Sequence, residues 1–186
     1  MNYSYLNHDQ LVSLIKSRAQ HGKDYQVVDV RDEDFRGGNI PGAIRAPSEA
    51  RTDETVRALV ERLEAVPVVI FHCSLSQVRG PKNARIYADA VAARRQAPSS
   101  SSQIPDAGQS TTVAGSEDHN FSPNPFPTTH TTKLEGARHG AEEDEARVGQ
   151  KVYVLRDGFA NWQGLYRKDP ELVENFDPTI WSDYAS

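Results

Sequence analysis

One stretch constrains the chain more than any other: VVIFHCSLSQVRGP at 68–81. Val68, Val69, Ile70 and Phe71 form a short, wholly apolar and mostly β-branched run, the pattern of a central strand buried on both faces. His72 and Cys73 end the run, and Arg79 follows the cysteine by six positions. Gly80 frees the backbone, and Pro81 suits the first turn of a helix, where its missing N–H costs nothing. The spacing therefore predicts strand, tight loop and helix start, with the helix continuing through Lys82, Ala84, Ile86, Ala88 and Val91 to about Arg94 and Arg95.

A loop between the C-terminal end of a strand and a helix N-terminus turns several backbone N–H groups inward and makes an anion nest. A thiolate is among the anions such a nest attracts. Arg79 adds a planar, permanently charged fork able to grip a tetrahedral oxyanion through two bonds. Cys73 is thus expected to be a nucleophile and Arg79 its clamp. Several N–H groups of the loop between them are expected to face the anion. Cys73 could instead be a small, inert core residue. The joint presence of cysteine, arginine, Gly-Pro and strand-to-helix context favours the chemical reading.

Around this centre the chain alternates helical and strand patterns. Asn7, with Gln10 three residues on, starts a first helix whose apolar stripe is Leu11, Leu14 and Ile15, with Gly22 as its stop. QVVDV at 26–30 reads as a buried strand and 43–46 as a short one. Thr52 caps a helix with Val56, Leu59, Val60 and Leu63 inward, and KVYVL at 151–155 restarts the strands. Phe159 and Trp162 belong to a short helix. Pro170 opens another, with Leu172 and Val173 inward, and Phe176, Trp181 and Tyr184 dock as an aromatic tail. Alternation of this kind defines an α/β layered domain with a parallel sheet, whose sites lie off the strand C-termini.

Residues 97–150 break the pattern, with a serine run at 99–102, five prolines, and eight acids against three bases. Such a segment cannot bury enough apolar surface to offset its ordering entropy and is expected to be a disordered insert within one domain. It reads as a spacer rather than a regulatory arm, since loop length costs little stability. His119, His130 and His139 lack metal-ligand spacing, and no metal is expected. A formal net charge of −5 argues against nucleic acid as a partner. The single cysteine excludes an intramolecular disulfide framework and fits a reducing compartment, cytoplasm and/or nucleus. The N-terminus shows no secretion signal, and no apolar run is long enough to span a membrane. Nothing in the sequence fixes an oligomeric state.

VVDVR at 27–31, GNIPGA at 38–43 and LRDGFANW at 155–162 resemble the rhodanese fold. Joined to them, HCSLSQVRGPKNARIY at 72–87 is similar to the phosphatase-type branch of that fold, which holds the cell-division-cycle dual-specificity phosphatases, fungal arsenate reductases and small fungal rhodanese-type phosphatases. The resemblance implies a three-layer fold with a parallel sheet of about five strands. It also implies a cysteine-dependent phosphatase acting on a phosphorylated protein or small oxyanion through a phosphocysteine, with no cofactor; the N–H groups of Ser74, Leu75, Ser76, Gln77 and Val78 would complete the cradle, with His72 and Gly80 supporting. An arsenate reductase would use the same residues plus an external thiol such as glutathione or glutaredoxin, since no second cysteine is present. A low-turnover phospho-binding module is a further alternative, because the loop carries Ser74 where dual-specificity phosphatases have glutamate. The loop is longer than that of the sulfurtransferases of the fold. Asp29 and Arg31 are expected to be structural; Asp32, Glu33 and Asp34 lie after the second strand and could approach the site, but the favoured expectation is that they are solvated turn charges. Asn39 and Asp157 stand where many rhodaneses have histidine and glycine.

Overall fold

A computed structural model describes residues 2–96 and 149–182. These lie in one compact unit. The reading of 97–150 as disordered falls, over 97–148, outside the described residues. Its last residue does not belong with it: the Gln150 side chain donates to the carbonyls of Leu63 and Val66 and accepts from the Tyr87 hydroxyl. The folded chain therefore resumes before the fifth strand.

The elements in chain order are β1 (Ser4–Leu6), α1 (His8–Ile15), β2 (Tyr25–Asp29), β3 (Ile44–Arg45), α2 (Asp53–Arg62), β4 (Val68–His72), α3 (Arg79–Gln96), β5 (Lys151–Leu155) and α4 (Gly158–Tyr166). A 3-10 turn at Glu33–Phe35 follows β2. All five strands are parallel, in the order β1-β5-β4-β2-β3. The apolar run at 68–71 is therefore the middle strand, which explains why it carries no polar face.

Side chains alternate across the sheet with the strand period of two. Val28, Val69, Phe71, Val152 and Val154 face one core with Val60 and Leu63 around α2 and Ala84, Tyr87 and Ala88 of α3. Val27, Ile70 and Leu155 face the other, with Leu11 of α1, Phe159 and Trp162 of α4, and the C-terminal Leu172, Val173 and Trp181. The result is the expected three-layer α/β arrangement.

Three local expectations change. β1 pairs with β5 at the sheet edge, in a stretch that the sequence presents only as a terminus. Helix α1 ends at Ile15, well before Gly22. There the Ser17 hydroxyl donates to the Leu14 carbonyl and accepts from the Ala19 N–H, satisfying backbone groups that a continuing helix would use. Gly22, at φ +82°, instead turns the chain toward β2. The helix expected from Pro170 does not form. Leu172 and Val173 donate their N–H groups to the Asp169 carbonyl in a single turn, and Glu174 then exchanges backbone bonds with Asn39. Leu172 and Val173 are buried as expected, because the turn, like a helix, directs them inward.

Candidate active site

The middle strand ends at His72, and loop 73–78 carries the chain to α3, which begins at Arg79. Cys73 is 3% exposed. The Ser76 backbone N–H donates to its sulfur at 3.2 Å, and the Ser76 hydroxyl accepts from the Cys73 N–H at 3.4 Å. This reciprocal closure requires Ser76 to adopt a left-handed backbone, φ 51°. Ser76 is itself buried, whereas the Leu75 and Val78 side chains project outward, 53% and 72% exposed. Among the described residues the backbone N–H groups of Leu75, Gln77 and Val78 have no protein acceptor. These loop amides are thus free to bond an anion. Gly80 packs against the loop: a Cβ there would lie 3.3 Å from the Ser76 hydroxyl oxygen.

Arg79 is oriented by two carboxylates. Its Nη1 donates to Asp34 Oδ1 at 2.7 Å and Asp32 Oδ2 at 3.0 Å, and its Nη2 donates to Asp34 Oδ2 at 2.5 Å. The Ser74 hydroxyl donates to the same Asp34 Oδ2 at 2.5 Å. One carboxylate thus ties together the residue after the cysteine and the arginine that ends the loop. The hydrogen bonds from Arg79, aided by Ser74 and opposed by partial burial, hold the Asp34 carboxyl well below the usual carboxylate range. Asp34's hydrogen bonds in turn push the Arg79 guanidinium higher still. The expectation that Asp32 and Asp34 are solvated turn charges is overturned: the 3-10 turn folds back onto the loop.

That turn is fixed from beneath by Asp29 and Arg31, both fully buried. Arg31 Nε and Nη2 bond the Asp29 carboxylate in a fork, Nη2 also donates to the Gly38 carbonyl at 2.8 Å, and Nη1 reaches the Asp34 carbonyl at 3.3 Å. The Arg31 guanidinium also lies over the Phe159 ring at 4.1 Å. Both residues are structural, as expected, and the structure they hold is the backbone bearing Asp34.

His72 is fully buried, with Nδ1 3.4 Å from the Cys73 carbonyl and Nε2 3.7 Å from Asp29. Burial, opposed by the Asp29 carboxylate, pushes its imidazole below the ordinary histidine range and so favours the neutral ring.

Sequence reasoning missed one more support. Phe159 and Ala160, at the start of α4, donate their N–H groups to the carbonyls of Cys73 and Ser74, both at 2.9 Å. Gly158 makes this approach possible. At φ +60°, a Cβ on it would lie 2.4 Å from the Cys73 carbonyl oxygen and 2.5 Å from that of Ser74. Asp157 is also left-handed, at φ 58°, a conformation that aspartate tolerates better than most residues. Asn39 bonds Glu174 Oε1 and the Ile40 carbonyl, a structural tie to the C-terminal segment. Among the described residues, no cluster of side chains suits a metal ion, and no helix is long and apolar enough to cross a membrane.

The fold and the loop define a rhodanese-fold domain whose middle strand delivers a cysteine to an amide-lined loop closed by arginine. The backbone resembles that of a yeast protein tyrosine phosphatase of the rhodanese family, with a TM-score of 0.60 at 23% identity over 97% of this chain and 98% of that one. The relatives in sequence include the dual specificity phosphatase ibp1 of Schizosaccharomyces pombe, 36% identical over 89 residues, covering 46% of this chain and 59% of that protein. Arsenical-resistance protein 2 of Saccharomyces cerevisiae is 38% identical over 86 residues, covering 42% of this chain and 64% of that protein. Arsenate reductase 2.2 of rice, Oryza sativa subsp. japonica, is 33% identical over 87 residues, covering 46% and 62%. The chain thus spans about three-fifths of the length of these relatives. No protein-family profile matches it.

Proposed function

We propose that this protein is a cysteine-dependent phosphatase of the tyrosine or dual-specificity type. Cys73 attacks the phosphorus of a phosphate monoester, the ester oxygen leaves, and water then releases phosphate from the phosphocysteine. Arg79 and the N–H groups of Ser74, Leu75, Ser76, Gln77 and Val78 stabilise the charge on the transferring group. The observation that carries this reading is the Ser76 N–H aimed at the Cys73 sulfur, with the unpaired amides of Leu75, Gln77 and Val78 in the same loop. His72 and Gly80 support the loop and do not touch substrate. A concave surface beside the loop, lined by Arg36, Ser74, Leu75 and Ile180, gives room for a leaving group. The substrates are then phosphorylated proteins or small oxyanions, and no cofactor is needed.

A second reading has support of its own, in the relatives named for arsenical resistance and arsenate reduction. Arsenate has the shape and charge of phosphate. The one cysteine would form the arseno-adduct, and an external thiol such as glutathione or glutaredoxin would resolve it. Either chemistry suits a reducing compartment, cytoplasm and/or nucleus. The domain reading belongs to the same proposal: one rhodanese-like domain interrupted by an insert.

A side-by-side assay tests both readings on one preparation. Aryl phosphate, arsenate with glutathione and glutaredoxin, and thiosulfate are supplied in turn. Phosphate release that is abolished in Cys73→Ser supports the first reading, and thiol-dependent arsenite formation supports the second. Phosphate release that survives Cys73→Ser contradicts the phosphatase.

A further inference from the structure

We infer that Asp34 is a built-in competitor for the anion site: its carboxylate occupies the arginine fork that a substrate oxyanion needs, and the oxyanion binds by displacing it. The inference rests on the reading of loop 73–79 as an oxyanion cradle and is indifferent to whether phosphate or arsenate is the natural occupant.

Geometry carries the argument. A carboxylate presents two oxygens to a guanidinium in the same fork-to-fork manner as two oxygens of a phosphate. Asp34 uses both oxygens in this way on Nη1 and Nη2 of Arg79, and Asp32 takes a further bond from Nη1. Asp34 Oδ2 also accepts the Ser74 hydroxyl, immediately beside the nucleophile. A dianion approaching the loop amides therefore meets an arginine already neutralised by a carboxylate, and a second negative charge next to its own seat. Both terms oppose binding. The Asp34 side chain is 39% exposed, so release into water is open to it. Asp32 is different in kind. Its Oδ1 accepts the Glu49 N–H, its carbonyl accepts Arg45, and its side chain is 10% exposed. Asp32 is built into the structure, whereas Asp34 is the displaceable partner.

Competition of this sort lowers the affinity for every oxyanion of like shape and charge by one common factor, the inverse of the fraction of molecules with the fork open. A surface ion pair reinforced by a charge-assisted hydroxyl bond gives a factor of about five to tenfold.

The test uses calorimetric titration of inorganic phosphate and of arsenate into the full chain carrying Cys73→Ser, which prevents chemistry. Into that background are placed Asp34→Asn, Asp34→Ser, Asp32→Asn and Arg79→Ala, each checked for folding by circular dichroism. Both Asp34 variants are expected to bind phosphate and arsenate more tightly, by about fivefold or more and by the same factor for the two anions. Asp32→Asn is expected to gain less, and adding Arg79→Ala to Asp34→Asn is expected to abolish the gain. Unchanged or weaker binding in both Asp34 variants, with Arg79→Ala still weakening the parent, overturns the inference and leaves the cradle standing. Phosphate binding that is undetectable throughout, or indifferent to Arg79→Ala, overturns the cradle and the inference together.

Discussion

The backbone N–H of Ser76 points at the Cys73 sulfur from 3.2 Å, and Ser76 can do so only because its φ is 51°. A left-handed residue costs about 1–2 kcal/mol unless it is glycine, and more if it is β-branched. The two backbones are therefore mutually dependent: the loop's curvature places the amide, and the Ser76 hydroxyl secures the curvature through the Cys73 N–H. Ser76→Gly should keep the loop conformation and phosphate binding while losing the hydroxyl tie. Ser76→Val should distort the loop and abolish phosphate release. Comparison of the two by aryl phosphate kinetics and phosphate titration separates conformation from side chain, and equal activity in both would refute the dependence.

Arg79→Ala should lower the rate of phosphate release by about 10²–10³-fold, the usual cost of losing one preorganised stabiliser of transition-state charge. Arg79→Lys should recover little, because a point charge cannot reproduce the fork that Asp34 engages. Steady-state kinetics on an aryl phosphate reads both, and full activity in Arg79→Lys would contradict the bidentate role.

Gly158→Ala should be among the most damaging small substitutions. The added Cβ would lie 2.4 Å and 2.5 Å from two backbone oxygens of the loop, where no flexible side chain can give way. The left-handed backbone alone costs about 1–3 kcal/mol, and a loop shifted by about 1 Å can lose about a hundredfold in rate. A fall in both melting temperature and phosphate release is expected. An unchanged melting temperature would show that α4 does not buttress the loop.

Stability should fall as pH drops below about 6.5. Burial pushes His72 below its ordinary range, and His21, half-buried, is pushed the same way by the same cause. The unfolded chain takes up these protons near pH 6.5 while the folded chain resists them. The stability contributed by the neutral rings is thus full above pH 6.5 and is lost as pH falls toward their folded pKa values. Melting temperatures from pH 7.5 to pH 5 should decline less steeply in His72→Gln than in the parent. Parallel declines would mean that His72 does not contribute.

The middle of this fold was legible because its signals are local. An apolar β-branched run, a cysteine, an arginine six positions on and a Gly-Pro helix start all sit within fourteen consecutive residues. The start of α1, where the Gln10 side chain accepts the Asn7 N–H, and the capping of α2 by Thr52 were legible for the same reason. The partners of the loop were not. Asp34 meets Arg79 across 45 positions, and its setting depends on the buried Asp29–Arg31 fork beneath it, so its acidic neighbourhood reads as a solvated turn. Gly158 was visible within a recognisable motif, but its contact with Cys73 belongs to the packing of α4 on the loop. β1 is three residues long with no buried position, too short for any period to register. The helix expected after Pro170 gave way to a pairing between Glu174 and Asn39, 135 residues apart.

The central claim is that the Cys73 sulfur takes up the phosphoryl group. The most direct test is rapid acid quench of the full chain during turnover of an aryl phosphate, followed by mass spectrometry of its peptides. The account predicts a phosphoryl group on the peptide bearing Cys73, formed with a burst of aryl alcohol and absent in Cys73→Ser. Phosphate release at the parent rate from Cys73→Ser, or turnover with the phosphoryl group trapped on another residue, would contradict it.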